Sequence, residues 1–140
     1  MKRIIMLLLS VIAIFTITGC TVEQNETENK ENNKVDATPI VQKIDAEEAK
    51  KMMETSEDII ILDVRTEDEY NSGHIEGAIL IPDNEISDRA EEVLSDKLAT
   101  ILVYCRSGRR SASASQTLND LGYTSIYDFG GIIDWPYAVE

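Results

Sequence analysis

The 140-residue chain is long enough for one ordinary domain and short for two. Its formal net charge of −13 argues against a nucleic-acid partner, because an acidic surface repels a phosphate backbone. A hydrophobic content of 43% and an aromatic content of 6% are compatible with a modest globular core. The composition therefore predicts one globular domain that does not bind nucleic acid.

The N-terminal segment, residues 1–19, has the layout of an export signal, with two early cations, an apolar run and small residues at its end. The apolar run is short for a membrane-spanning helix. The residues Ile17-Thr18-Gly19-Cys20 resemble the bacterial lipobox, in which the cysteine receives a lipid and becomes the mature N-terminus. We therefore expect anchoring at the extracytoplasmic face of the cell membrane, through the lipid on Cys20 alone. An ordinary signal peptide that carries a cysteine is the alternative.

Residues 20–42 are rich in Asn, Glu, Gln, Thr and Lys and hold few apolar side chains. Such a segment cannot bury enough surface to offset the loss of chain entropy on folding. We predict a flexible tether between the lipid and a domain formed by residues 43–140. A charged binding tail is the alternative, but the mixture of Glu and Lys favours a tether.

Helical and strand patterns alternate along residues 43–140. Capping boxes that begin at Asp45 and Thr66 predict two helix starts, and the apolar runs 59–62 and 100–104 predict buried strands. The other predicted elements are strands at 78–81 and 125–128, a helix marked by Ile86, Ala90, Val93 and Leu94 with Ser87 as its N-cap, a helix over 111–121, and a last helical turn before Pro136. This alternation predicts an α/β fold, a parallel sheet flanked by helices on both faces. Ligands of such sheets bind beyond the carboxyl ends of the strands.

Cys105 stands directly after the predicted strand 100–104. Three arginines follow it: Arg106, Arg109 and Arg110. Since the thiolate is the nucleophile and a free cysteine is mostly protonated at neutral pH, a reactive site must favour the charged form. The arginines, the N–H groups of a loop bent at Gly108 and the positive end of the next helix would all do so. An inert buried thiol is the alternative, but an unpaired thiol in an exported chain favours a reactive one.

Three segments of the domain carry ordered motifs. The first contains Leu62-Asp63-Val64-Arg65, Glu69-Tyr70, Gly73-His74-Ile75, Gly77-Ala78 and Ile81-Pro82. The second is the loop Cys105-Arg106-Ser107-Gly108-Arg109-Arg110-Ser111, and the third is Gly130-Gly131-Ile132 followed by Trp135. In order and spacing these motifs resemble the signatures of single-domain rhodaneses, the sulfurtransferase family. The resemblance covers nearly all of residues 43–140.

The resemblance implies a rhodanese-like fold and a persulfide relay. Cys105 would accept the outer sulfur of a small anionic donor such as thiosulfate and pass it to cyanide or to a thiol acceptor, for which a thioredoxin-like protein is a candidate. The residues that it implies in anion and persulfide binding are Arg106, Ser107, Gly108, Arg109 and Arg110. It implies no metal or organic cofactor, because sulfur itself supplies the group-transfer chemistry.

Two other functions remain open at this stage. A low-turnover sulfur carrier or partner-binding module could be built on the same fold. Cysteine-dependent phosphatases and arsenate reductases carry an arginine six positions after the cysteine, whereas here Ser111 holds that position and Arg110 stands one residue earlier. Because the fit of an oxyanion depends on the geometry of its cradle, the shorter loop favours a sulfur atom over a tetrahedral phosphate.

The remaining polar candidates are predicted to support the fold. His74 is the only histidine and follows a predicted helix end, so we expect a structural role for it. Asp63 and Arg65 are expected to be framework charges, with Arg65 paired either with Asp63 or with Glu69. One histidine and no paired cysteines make a metal site improbable.

Overall fold

The computed structural model describes residues 40–140, which contain a five-stranded sheet. The strands are β1 (Ile40–Lys43), β2 (Ile59–Asp63), β3 (Ile79–Leu80), β4 (Thr100–Cys105) and β5 (Ser125–Gly131). They lie in the order β1-β5-β4-β2-β3, and every neighbouring pair is parallel. The predicted parallel α/β architecture is confirmed.

Helices cover both faces of this sheet. They are α1 (Ala46–Thr55), α2 (Glu67–Asn71), α3 (Ile86–Val93) and α4 (Arg109–Asp120), with short 3-10 turns at Asp83–Glu85 and Ile132–Asp134. Buried side chains of α3 and α4 pack in one apolar cluster, whereas Ala49 of α1 and Tyr70 of α2 belong to the other. The sheet is therefore the middle layer of three.

The central strand β4 shows how the sequence builds both layers. Its side chains alternate, with Ile101 and Val103 in the cluster under α3 and α4, and Leu102 and Tyr104 in the cluster on the α1 side. All four are fully buried. A continuous apolar run is what a parallel strand covered on both faces requires, and it delivers the next residue, Cys105, to the carboxyl edge of the sheet.

Local capping signals predict two of the helix starts correctly and miss a third. The Asp45 side chain accepts a hydrogen bond from the Glu48 N–H at 2.8 Å, and Thr66 forms both arms of a capping box. Ser87, the predicted N-cap of α3, lies inside that helix instead, and the N-cap is Glu85 without a side-chain cap. The preceding 3-10 turn already sets the direction of the chain there, so no side-chain cap is needed. Val93, expected in the core, is 37% exposed.

The end of the predicted tether also needs correction. Residues 40–42, assigned to it from their composition, form β1 with Lys43 and pair with β5 at the sheet edge. Backbone hydrogen bonds hold an edge strand even where its side chains are exposed, as at Gln42, so apolar content underestimates it. The rest of the tether, Cys20 and the predicted signal lie outside the described residues. Within residues 40–140, no helix is both long and apolar enough to cross a membrane.

Candidate active site

The candidate nucleophile lies at the junction of β4 and α4. Cys105 is the last residue of β4 and is 1% exposed. Helix α4 begins at Arg109, two residues before its predicted start, with Gly108 as N-cap at φ 91°. This left-handed conformation favours glycine, and it turns the chain sharply back over the thiol. The bend expected at Gly108 is confirmed, and Arg110 belongs to the first helical turn.

Hydrogen-bond donors surround the sulfur. The Gly108 N–H donates to Cys105 Sγ at 3.1 Å. Burial raises the pKa of the thiol, but hydrogen bonds from the backbone N–H groups of Ser111, Ser107 and Gly108 and from the Ser111 hydroxyl outweigh burial, so the pKa of Cys105 is lowered. The Ser111 hydroxyl also lies within reach of the Gly108 and Gly130 carbonyls. The loop therefore favours the thiolate chiefly through N–H groups, as an anion nest does.

The three arginines of the loop are not equivalent. Arg106 and Arg109 are exposed, whereas Arg110 is half-buried. The Arg110 guanidinium donates two hydrogen bonds to the Glu69 carboxylate of α2, at 2.6 and 2.8 Å. Of the predicted anion-binding arginines, Arg110 is thus already engaged by a carboxylate, and the other two extend toward solvent.

Glu69 is the residue at this site that the sequence analysis did not assign to it. The hydrogen bond from Arg110 lowers the pKa of Glu69 to about 2, against the opposing effect of burial. The signal was present in the sequence, because Glu69 lies on the short helix after β2, and β2 is the neighbour of β4. Only the strand order shows that α2 and the start of α4 meet at the same edge of the sheet.

The end of β5 packs against the loop that follows Cys105. A Cβ atom on Gly131 would lie 2.4 Å from the Arg106 carbonyl oxygen and 2.6 Å from Ser107 Cα, closer than real contacts allow. The Ile133 N–H donates to the same Arg106 oxygen at 3.3 Å. The requirement for glycine at position 131 therefore comes from the close approach of its backbone to the loop.

A second carboxylate–arginine pair lies deeper in the fold. Arg65 and Asp63 approach to 2.6 Å, with side chains 6% and 0% exposed. Arg65 also donates to the Gly73 carbonyl at 2.8 Å and lies over the Tyr104 ring. Burial works to lower the pKa of Arg65, but its hydrogen bond and charge interaction with Asp63 prevail and raise that pKa. Pairing with Asp63 is confirmed, and the alternative pairing with Glu69 is wrong.

His74 contacts Tyr70 and Glu140. Its ring stacks on Tyr70 at 3.7 Å between centroids, and its Nε2 lies 3.4 Å from the Glu140 carboxylate. The backbones of His74 and Glu140 exchange two hydrogen bonds. These contacts support the structural role predicted for His74. Among residues 40–140 there is no group of three or more side chains placed to hold a metal ion.

Cys105 is a buried thiol with a lowered pKa at the N-terminus of α4, on the carboxyl edge of the parallel sheet where ligands of α/β folds bind. Residues 45–136 match the family model of the rhodanese-like domain. The chain belongs to the rhodanese-like family. The family signature suggested by the sequence motifs is thereby confirmed.

The similar proteins include several that are named for sulfur transfer. The chain is 40% identical over 73 residues to Thiosulfate sulfurtransferase PspE of Escherichia coli (strain K12), covering 52% of this chain and 70% of that protein. It is 35% identical over 97 residues to a sulfurtransferase of Allochromatium vinosum, covering 69% and 89%. A solved rhodanese with anions from E. coli has a TM-score of 0.55 at 35% identity, covering 59% of this chain and 96% of that one. These relatives support a sulfurtransferase of the rhodanese type.

Proposed function

We propose that the protein transfers a sulfane sulfur from a small anionic donor to a thiol or to cyanide, carrying it as a persulfide on Cys105. The observation that carries the proposal is the nest of N–H donors around a single thiol, with Gly108 N–H 3.1 Å from Sγ. This nest accommodates a sulfur anion without a metal or an organic cofactor. Thiosulfate is the donor that the named relatives suggest.

In the first half-reaction, the Cys105 thiolate attacks the outer sulfur of thiosulfate. The S–S bond of the donor breaks, sulfite leaves with the bonding electron pair, and Cys105 keeps the outer sulfur as a persulfide anion. The loop N–H groups that favour the Cys105 thiolate are also the donors we assign to the persulfide anion, and a preorganised donor costs no reorganisation during the reaction. Exposed Arg106 and Arg109 attract the dianionic donor to the carboxyl edge of an otherwise acidic protein.

In the second half-reaction, an acceptor thiolate or cyanide attacks the outer sulfur of the persulfide. The acceptor leaves with that sulfur, as a persulfide or as thiocyanate, and the Cys105 thiolate is restored. Charge and sulfur balance in both halves. For a protein acceptor we propose a thioredoxin-like reductant, because it offers a nucleophilic thiol of low pKa.

The location of the reaction is a separate part of the proposal. The lipobox-like Ile17-Thr18-Gly19-Cys20 supports a lipid anchor that would hold the domain at the extracytoplasmic face of the cell membrane. Cys20→Ser should then move the protein from the membrane fraction to the soluble fraction. Continued membrane association of that variant would count against the anchor.

Thiocyanate formation from thiosulfate and cyanide tests the proposed activity directly. The purified full-length protein should turn over repeatedly, and Cys105→Ser should lower the rate by at least about 10³-fold while retaining the fold, since the covalent intermediate is lost. Persulfide formation with negligible turnover would favour the carrier function instead. Hydrolysis of a phosphate ester without sulfur transfer would favour phosphatase chemistry and contradict the proposal.

A further inference from the structure

Arg110 is placed near the thiol but is not available to a ligand. Its guanidinium binds Glu69 through two nitrogens, at 2.6 and 2.8 Å, with side chains 17% and 24% exposed. A planar guanidinium binds carboxylate and phosphate with the same fork of parallel N–H groups. The fork that would otherwise hold a tetrahedral oxyanion is therefore occupied by a carboxylate of the same chain.

Glu69 is itself held in place, which makes the pair a fixed feature of the site. Its carboxylate accepts hydrogen bonds from the Thr66 N–H and hydroxyl at 3.1 Å each, as part of the capping box of α2. The Tyr70 hydroxyl next to it donates to the Ala78 carbonyl at 2.7 Å and attaches the helix to the start of β3. Glu69 therefore holds Arg110 from a capped helix that Tyr70 attaches to the chain before β3.

The Arg110 guanidinium is close enough to interact electrostatically with the thiol. Hydrogen bonding to Glu69 is the largest cause of the raised pKa of Arg110, and the charges of Cys105 and Asp83 contribute in the same direction. The negative charges of Glu69, Asp83 and the Cys105 thiolate thus all interact with the Arg110 guanidinium. Release of the guanidinium from Glu69 would leave it within range of any anion bound in the loop.

We propose that Glu69 is a positioning residue that determines anion specificity, holding Arg110 out of the loop so that a single sulfur anion, and not a tetrahedral oxyanion, is bound there. The identity of the sulfur anion rests on the proposed function; the exclusion of the oxyanion does not. The loop then binds its ligand through backbone N–H groups and the Ser111 hydroxyl, without a guanidinium. Its length contributes to the same selection, since Arg110 stands five positions after Cys105.

Removal of the Glu69 charge should have two effects in the same direction. Glu69→Gln eliminates an anion near the thiolate and frees Arg110 to approach it, so the pKa of the Cys105 thiol should fall further. The freed guanidinium should also bind inorganic phosphate, a tetrahedral oxyanion, about tenfold more tightly at the loop, since it gains a charge-assisted bidentate contact. A role confined to capping α2 would leave the phosphate affinity unchanged.

The experiment measures alkylation of Cys105 by iodoacetamide in the full-length protein, as a function of pH and of added phosphate. The pH dependence gives the pKa of the thiol, and protection by phosphate gives its dissociation constant. Neither measurement requires sulfur transfer, so a failed sulfurtransferase assay leaves this test intact. Glu67→Gln is the matched control, because it removes an exposed carboxylate from the same helix and leaves the Glu69–Arg110 pair unaltered.

We expect a lower thiol pKa and tighter phosphate binding in Glu69→Gln, wild-type phosphate affinity in Glu67→Gln, and wild-type phosphate affinity in the double variant Glu69→Gln/Arg110→Gln. Far-UV circular dichroism establishes that each variant is folded, and Glu69→Ala replaces Glu69→Gln if the latter does not fold. An unchanged thiol pKa or an unchanged phosphate affinity in the folded variant overturns the proposal. So does tighter phosphate binding that persists after Arg110 is also replaced.

Discussion

Two carboxylate–arginine pairs lie at the same edge of this sheet and differ in burial and in what lies beside them. Asp63 and Arg65 are almost completely buried, and Arg65 is held by a backbone carbonyl and an aromatic ring as well. Glu69 and Arg110 are partly exposed and join α2 to the first turn of α4, beside Cys105. The first pair connects the end of β2 to the Gly73 carbonyl, and the second connects α2 to the loop that holds Cys105.

Because the two pairs differ in burial, loss of one member should affect a different property of the protein in each. A buried pair that loses one member leaves an uncompensated charge in the core, and stability falls. A partly exposed pair that loses one member leaves a charge that water can solvate, so little stability is lost. What changes there is the electrostatic potential at the neighbouring thiol.

The largest effect should come from breaking the buried pair. Arg65→Met leaves the fully buried Asp63 carboxylate without its cation, which should lower the free energy of unfolding by about 3–5 kcal/mol in urea denaturation. The matched change Arg110→Met should lower it by no more than about 1 kcal/mol. Equal losses in the two variants would contradict the distinction between the pairs.

The next effect concerns the backbone contact that shapes the loop from the opposite side. Gly131→Ala places a methyl group 2.4 Å from the Arg106 carbonyl oxygen, so either β5 or the loop must move. We expect a loss of about 1–3 kcal/mol in stability and a slower alkylation of Cys105, because the N–H groups around the sulfur shift. Gly77→Ala is the control, since nothing lies within 4 Å of its added methyl; its φ of +76° adds a backbone strain that Gly131, at φ −120°, does not meet. Equal alkylation rates in the two variants would show that the close approach of Gly131 does not shape the loop.

A smaller effect should appear in the pH dependence of stability. The pKa of Glu69 is about 2 in the folded protein, below its ordinary value of 4.5, so its stabilising contribution is complete above pH 4.5 and is lost as the pH falls toward 2. The difference in unfolding free energy between wild type and Glu69→Gln should therefore decrease over this window, by no more than about 1 kcal/mol because the pair is partly exposed. A difference that stays constant from pH 6 to pH 3 would argue against the ion pair.

The smallest effect should come from the exposed arginines. Arg106→Gln and Arg109→Gln each remove a solvated charge, so KM for thiosulfate should rise about threefold at low salt with little change in stability. The increase should disappear at high ionic strength, because salt screens exposed charges. A salt-independent increase would indicate direct contact with the donor instead of attraction from a distance.

The sequence correctly predicts the parallel sheet and the position of Cys105 at the end of a buried strand, because both depend on local patterns. The apolar run before Cys105 needs no knowledge of its neighbours to be recognised as a buried strand, and such a strand ends where ligands bind. The caps at Asp45 and Thr66 are equally local, since each donor lies three residues from its acceptor. The confirmed rhodanese-like fold rests on these local signals together with the order of the motifs.

Features that depend on tertiary contact were missed. The pair between Glu69 and Arg110 joins residues 41 apart in sequence, and only the adjacency of β2 and β4 brings them together. The requirement at Gly131 comes from the backbone of Arg106, and the strand at 40–43 is fixed by pairing with β5 rather than by its own side chains. Arg110 was predicted as a free anion-binding cation because its partner cannot be read from nearby residues.

Intact-mass measurement after brief exposure to thiosulfate determines whether Cys105 carries the transferred sulfur. The wild-type protein should gain the mass of one sulfur atom, and cyanide should remove it. Cys105→Ser should gain nothing under the same conditions. Persulfide transfer through Cys105 would be contradicted if the folded wild-type protein were unchanged in mass after exposure to thiosulfate while iodoacetamide still alkylated Cys105.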